Sequence, residues 1–396
     1  MIKNVLKVFS AGFLAQVLNF LSFPIITVWY GPAVFGEYAV FAFFVAFLPM
    51  IITLRMEMAT LQDPNSSEMN TLVFIPLIDS LFIFAICSII SLFFSNEIKL
   101  EIFLIFLTAF FASIQNIGIC IANLKERYWA ISISRILFPV FFFMMVYFLR
   151  DESMIYPLAI SHFFASFMCA LFIVKASSYT VKIVSLKEVI TVLQKNLHYI
   201  KFDLPSNIFN VCGLLLPSYL ILVFFNQESS GLYFLAYKLI AAPLSALTLA
   251  IGYVYRREAV KEYKVNDSFY VITKRMLMLL MLLSALMLIG FYSLGQWIFE
   301  LLFQEDWQAA LPIISILIPA FALKLVASPL SFSFYIVNKL KLDLCGQISF
   351  VILVACAVFS GYLLNDFIKA IYFISIATGF FYLFYCVKSI QFSRGI

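Results

Sequence analysis

Charge is what this chain has least of: 12% of its 396 residues are Asp, Glu, Lys or Arg, about half of what normally covers a water-soluble domain. With 64% hydrophobic residues, it cannot clothe its outside against water and must meet lipid over most of its surface. Histidine is nearly missing, only His162 and His198, which leaves little material for imidazole acid–base or metal chemistry. No connecting segment is long enough for a soluble domain. Neither a Gly-rich phosphate loop nor an acidic pair with metal spacing occurs, which argues against a membrane-bound glycosyltransferase or polymerase. The seven cysteines (Cys87, Cys120, Cys169, Cys212, Cys345, Cys356, Cys386) have an odd total and no paired spacing, so they are expected as small core residues. Nothing in the pattern calls for a metal, a cofactor or a nucleic-acid partner.

What is present is a succession of apolar segments roughly 20 residues long, the length that crosses a hydrocarbon core as a helix. They run 8–29, 38–60, 71–94, 101–124, 129–149, 155–175, 202–225, 231–255, 274–295, 309–337, 343–364 and 367–388. The expected fold is an all-α integral membrane protein of twelve helices, with MIKNVLK opening the first helix rather than a cleaved leader. An even count puts both termini on one side. Lys and Arg crowd the loops of that side, among them Lys125, Arg127, Lys182, Lys187, Lys195, Arg256, Arg257, Lys264, Lys339 and Arg394, whereas the opposite loops hold Lys99, Arg150 and Lys369. The positive side is cytoplasmic. The outer loop from Gln296 to Leu311 then carries Trp297 and Trp307 as interfacial anchors.

The longest connection, Ala176 to Lys201, falls near the midpoint and divides the chain into an N-terminal bundle (1–175), a cytoplasmic amphipathic linker (176–201) and a C-terminal bundle (202–396). In the linker, Leu186, Ile190, Leu193, Leu197 and Ile200 recur at helical spacing opposite Lys182, Lys187 and Lys195, a pattern that suits a helix on an anionic leaflet or a solvated charged helix. The halves echo one another: Pro24, GPAVFGEY at 31–38 and RMEMA at 55–59 against Pro217, GLY at 231–233 and RREA at 256–259. Parallel repeats of this kind are related by an axis along the membrane normal. Prolines at 24, 49, 76, 139, 157, 217, 243, 319 and 329 interrupt the spans and are expected to bend them, which suits a protein that rocks and is also simply common in membrane helices.

The runs GPAVFGEYAVF, LRMEMATL, FDLPSNIFN, SSGLYFLAYKLIAAPLSALTLAIGYVYRREA and LFQEDWQAALPIISILIPAFALKLVASPLSFSF, in that order along the whole chain, resemble the polysaccharide-transport branch of the multidrug/oligosaccharidyl-lipid/polysaccharide exporter superfamily, in particular its Wzx-type O-antigen flippases. The chain departs from the family pattern at Met56, often tyrosine there, and at Gln304, often glycine. The resemblance implies two pseudo-symmetric six-helix bundles in a bacterial inner membrane. It implies outward transport of an undecaprenyl-diphosphate-linked oligosaccharide by alternating access, beside other polysaccharide-assembly membrane proteins.

Four cations lie within predicted spans: Arg55, Arg135, Lys238 and Lys324. A cation at mid-bilayer costs at least ~2.5 to 3.5 kcal/mol, so it should face a wet cavity or an anion, and Lys324, farthest from either surface, is the first candidate to meet a diphosphate. Each also has a structural reading: Arg55 pairing with Glu57 or snorkelling inward, Lys238 reaching outward along its stem. For charge pairing or coupling to a proton or sodium ion the candidates are Asp79, Glu57 and Glu258; Asp203 could likewise partner one of these cations or carry the coupling ion, although its place just before Pro205 reads mostly as a helix cap. A lone His162 on an apolar helix reads as a packing residue. A multidrug antiporter of the same superfamily is the alternative function, although a cavity for organic cations should be lined by acids and these charges lean basic.

Overall fold

A hydrocarbon environment offers no water to backbone N–H and C=O groups, so a spanning chain satisfies them within helices. The computed structural model describes residues 2–59, 66–91, 96–150, 156–178 and 182–395; the side chains of Lys3, Lys7, Cys87 and Lys99 lie outside the described residues. In chain order the helices are α1 (Ile2–Trp29), α2 (Pro32–Thr53), α3 (Met56–Ala59), α4 (Ser66–Ser91), α5 (Asn96–Leu124), α6 (Tyr128–Phe148), α7 (Tyr156–Ser177), α8 (Leu186–Lys195), α9 (Leu204–Phe224), α10 (Gln227–Asn266), α11 (Tyr270–Gly290), α12 (Gln296–Leu302), α13 (Ala310–Leu330), α14 (Ser333–Ile336), α15 (Leu340–Leu363) and α16 (Phe367–Ser393). Among the described residues eleven helical segments are long and apolar enough to cross a membrane. The segment predicted at 231–255 lies within α10, a single helix of 40 residues.

Two compact units form, and they do not follow the halves of the sequence. Unit 1 is Met1–Ser22 with Val40–Cys212; unit 2 is Phe23–Ala39 with Gly213–Ile396. The linker helix α8 belongs to unit 1, while the turn joining α1 to α2 belongs to unit 2. The reason for the second assignment is close packing. The two glycines singled out by the sequence echo, Gly36 on α2 and Gly231 on α10, meet at a helix crossing. A Cβ on Gly36 would collide with the carbonyl of Gln227, and one on Gly231 with the carbonyl of Pro32, so only glycine allows this approach. Gln227 Nε2 donates to Glu37 Oε1 at 2.7 Å beside it.

Trp307 corrects an expectation. It is no interfacial anchor but fully buried, its indole N–H donating to the Thr27 carbonyl at 3.2 Å and its ring meeting Phe35 edge-on at 4.9 Å. Trp297, by contrast, is 63% exposed. Pro157 is likewise at the start of α7, where its missing N–H costs nothing, and does not bend a span. Cys120, Cys169 and Cys386 are buried as expected, whereas Cys345 and Cys356 lie exposed on α15, an apolar surface that suits a thiol in lipid as well as a core does.

The loops placed on the positive side meet one another within each unit. In unit 1, Lys125 Nζ donates to the carbonyls of Ser177 and Ser178 at 3.2 and 2.8 Å, and Arg127 to that of Ala176. Two cations thereby cap the C-terminal end of α7, where unsatisfied carbonyls carry partial negative charge. The α5–α6 turn that delivers them is ended by Glu126 in the left-handed region at φ 54°. In unit 2, Ser268 Oγ and the Phe269 N–H both donate to the Ser393 carbonyl, tying the start of α11 to the end of α16.

Candidate substrate site

Three helices of unit 2, α10, α13 and α16, bring aromatic rings to one lysine. Lys324 Nζ stands 5.1 Å from the centroid of Phe321, 5.9 Å from Tyr237 and 5.9 Å from Tyr382. Phe321 and Tyr237 themselves meet edge to face at 5.8 Å. Lys238 repeats the local pattern, its Nζ 5.0 Å from the ring of Phe234. In both cases the ring lies one turn earlier on the lysine's own helix, the direction in which helical side chains lean. Among the described residues neither ammonium has a carboxylate partner.

Magnitudes decide what that means. Ring faces return up to about 2 kcal/mol to a desolvated cation. A lysine at mid-bilayer costs at least ~2.5 to 3.5 kcal/mol. The cage holds the ammonium in place without neutralising it.

The path of α13 positions this lysine. Pro319, five residues before Lys324, has no N–H for the Ser315 carbonyl, and its ring crowds that same group. Side chains from outside α13 bond two successive carbonyls here: Tyr292 Oη donates to the freed Ser315 O at 2.9 Å, and Ser375 Oγ to Ile316 O at 2.6 Å. One turn beyond the cage on α16, Tyr385 Oη donates to Asp343 Oδ1 of α15 at 2.8 Å and accepts from Gln347 Nε2 at 3.1 Å. Gly346 leaves room for that phenol; a Cβ there would come 2.9 Å from Tyr385 Oη.

Unit 1 treats its cations differently. Leu54 and Arg55 both take left-handed backbone angles, φ 51° and 59°, in the break between α2 and α3. Arg55 Nε then donates to Asp203 Oδ2 at 3.0 Å, and Nη1 lies 3.9 Å from Glu57 Oε1, with the Arg55 side chain 15% exposed and the two acids 9% and 3%. Arg55, expected as a substrate contact, is thus occupied by protein carboxylates, and Asp203 is their ion-pair partner rather than a plain cap. Glu258 pairs with Lys261 at 3.8 Å on an exposed stretch of α10, outside any buried site. Arg135 has no ion-pair partner among the described residues; its Nη1 lies over Gly12 of α1, 3.2 Å from where a Cβ would stand. Asp79 on α4 has a buried Oδ2 with no hydrogen-bond partner among the described residues. His162 sits among the rings of Phe41, Phe138 and Phe142 at 5.7, 5.2 and 6.1 Å, as a packing residue would.

Sequence reading found the two lysines and missed their surroundings. Tyr237 precedes Lys238 and Tyr382 lies 58 positions beyond Lys324, and no local pattern says which face of α10 or α16 each presents. Asp343 opens an apolar span, where an acid ordinarily serves the helix terminus, so nothing local marks it as the acceptor of Tyr385.

No protein-family model matches the chain, and no curated protein sequence does. Solved structures match over nearly its whole length. The lipid II flippase MurJ in an inward closed conformation superposes with a TM-score of 0.73 at 15% identity, over 97% of this chain and 87% of that one. A MATE in complex with MaL6 gives 0.62 at 14% identity, over 98% and 96%. A transporter of the multidrug/oligosaccharidyl-lipid/polysaccharide superfamily from Pyrococcus furiosus, described as having a binding pocket of reversed polarity, gives 0.63 at 12%, over 99% and 96%. At these identities the likeness establishes the fold: an all-helical, multi-span membrane architecture of the MurJ and MATE type.

Proposed function

We propose that this chain is a flippase that carries a polyprenyl-diphosphate-linked oligosaccharide, an O-antigen or similar repeat unit, from the cytoplasmic to the outer leaflet of a bacterial inner membrane. It does so by alternating access between two six-helix bundles, with twelve spans and both termini cytoplasmic. The observation that carries this reading is Lys324, a deeply placed ammonium held by three rings and compensated by no carboxylate among the described residues. A diphosphate headgroup supplies the missing charge, and its own charge needs such compensation while it crosses. Lys238 is the second contact in unit 2, and Arg135 is the basic group that unit 1 offers. Arg55 serves structure instead.

The aromatic setting also fits the cargo, since tyrosine and phenylalanine faces stack on sugar rings and accept apolar chain. Outward movement of two negative charges down a potential of about 100 mV, negative inside, gains roughly 4.6 kcal/mol, twice the ~2.3 per charge. The potential alone would suffice to drive the step. Asp79, with its buried unpartnered oxygen, is where a proton or sodium ion would couple if one does. The same carboxylate is the one observation favouring the second reading, a cation antiporter of the MATE kind, because an organic cation needs an acid to meet it.

The test is translocation of a fluorescent polyprenyl-diphosphate oligosaccharide in proteoliposomes under an imposed potential, native chain against Lys324→Ala. Flux that falls at least tenfold in the variant is the expected result. Flux in neither chain, with efflux of a lipophilic cation that Asp79→Asn abolishes, would replace the flippase by the antiporter. Equal flux in both would remove Lys324 from the mechanism.

A further inference from the structure

The linker helix α8 has two apolar faces, and the structure covers only one. Val192 is buried and Val189 and Leu193 are partly buried against Met56, Ala59, Leu72 and Ile75 of α3 and α4. The adjoining strip is bare: Leu186 is 78% exposed, Ile190 47%, Leu197 37%, and Ile183, just before the helix, 93%. Lys187 and Lys201 are exposed, neither with an ion-pair partner among the described residues. At 100° per residue Lys187 follows the bare strip on the side away from the protein, so the order around the helix is packed, bare apolar, basic.

The helix is also fixed in this pose. Ser185 and Glu188 form a reciprocal cap at its start. Asn70 of α4 pairs with both backbone groups of Lys182, at 2.8 and 2.9 Å, and Lys195 is bound by Glu68 at 2.7 Å. A solvated charged helix would have no reason to hold four large apolar side chains toward water while clamped at both ends.

We propose that this strip is a binding surface for anionic phospholipid at the membrane surface, with Leu186, Ile190 and Leu197 entering the acyl boundary and Lys187 and Lys201 meeting the headgroup phosphates. Charge complementarity selects the occupant: the flanking free cations attract acidic lipid, and apolar residues beside them suit a helix lying in the interface. The inference needs only that the chain sits in a membrane and is independent of its cargo.

The test uses the full chain in proteoliposomes doped with a photoactivatable phosphatidylglycerol or the matching phosphatidylcholine, with cross-linked peptides identified by mass spectrometry. Phosphatidylglycerol is expected to label peptides within 183–201 in preference to phosphatidylcholine, and the preference to weaken in high salt. Lys187→Gln with Lys201→Gln should lower phosphatidylglycerol labelling roughly fivefold per lysine, the factor that about 1 kcal/mol of surface attraction represents. Lys187→Arg with Lys201→Arg should retain it. Labelling of this segment by neither lipid would mean that the strip does not meet the bilayer and would overturn the proposal. So would equal labelling by both lipids, or a Gln pair that labels like the native chain.

Discussion

Arg55 in unit 1 and Lys324 in unit 2 are both cations taken out of water, and the chain handles them in opposite ways. Arg55 is matched by two buried acids, one from the next helix and one from 148 residues further along the chain. Lys324 is matched by rings alone. A cation whose counter-charges are built into the protein is finished when folding is finished. One left with only the quadrupoles of aromatic rings is incomplete until something anionic arrives, which is the property a transport site needs and a structural site must not have.

The sharpest way to break this comparison is to remove one partner of the completed pair. Asp203→Ala leaves Arg55 with Glu57 alone at 3.9 Å, and should destabilise the protein by about 3 to 5 kcal/mol, the cost of a buried charge that has lost its partner. Thermal unfolding in detergent is the measurement. A replacement of both members, Arg55→Met with Asp203→Leu, should cost much less. If Asp203→Ala instead left stability intact and removed only flux, Arg55 would belong with the substrate after all.

Lys324→Met should do the reverse. The shape is nearly kept and an uncompensated charge is removed, so the unfolding temperature should stay level or rise, because ~2.5 to 3.5 kcal/mol of burial cost disappears against up to about 2 from the lost ring contacts. Flux of the proposed diphosphate cargo should fall by roughly 30- to 150-fold, the worth of a charge-assisted contact of about 2 to 3 kcal/mol. A variant that was destabilised and transported normally would erase the distinction between the two cations.

How much of this was legible beforehand follows from what a sequence can encode locally. The apolar segments were visible because lipid exposure imposes composition residue by residue, and Lys238 and Lys324 stood out because a charge in such a run is conspicuous. For Asp203 the sequence leaves cap and ion-pair partner both open, with Pro205 favouring the cap, because its partner Arg55 lies in a break after α2 that depends on two residues adopting left-handed angles. Trp307 was taken for an interfacial anchor because it falls in a loop, yet the loop folds inward and buries it against Thr27 and Phe35. The glycine echo was faint as a pattern and became specific when Gly36 and Gly231 turned out to touch. In each case the missing information was a pairing between distant segments, which periodicity does not carry.

A smaller effect sharpens the description of the cage. Tyr382→Leu keeps an apolar wall and removes one of three ring faces around Lys324, so the cation loses roughly 0.5 to 1 kcal/mol of orientation. Affinity for the headgroup, read as displacement of a fluorescent polyprenyl diphosphate, should drop about two- to fivefold with little change in unfolding temperature. Tyr382→Phe keeps the face and should behave as the native chain. If phenylalanine failed as badly as leucine, the phenol hydroxyl rather than the ring would be the working group.

The smallest expected effect bears on why Lys324 lies where it does. Tyr292 occupies the Ser315 carbonyl that Pro319 sets free and Ser375 the Ile316 carbonyl beside it, so each is a positioning residue that ties α13 to its surroundings just before Lys324. Tyr292→Phe and Ser375→Ala should each cost about 0.6 kcal/mol, the average for hydrogen bonds between membrane helices, and loosen headgroup binding two- to threefold. Pro319→Ala restores the N–H that the Ser315 carbonyl would otherwise find within its own helix. In that background Tyr292→Phe should cost almost nothing, because its hydroxyl is no longer the carbonyl's partner. Such a difference between backgrounds would assign the tyrosine to the proline's missing bond. Equal costs in both would assign it to packing.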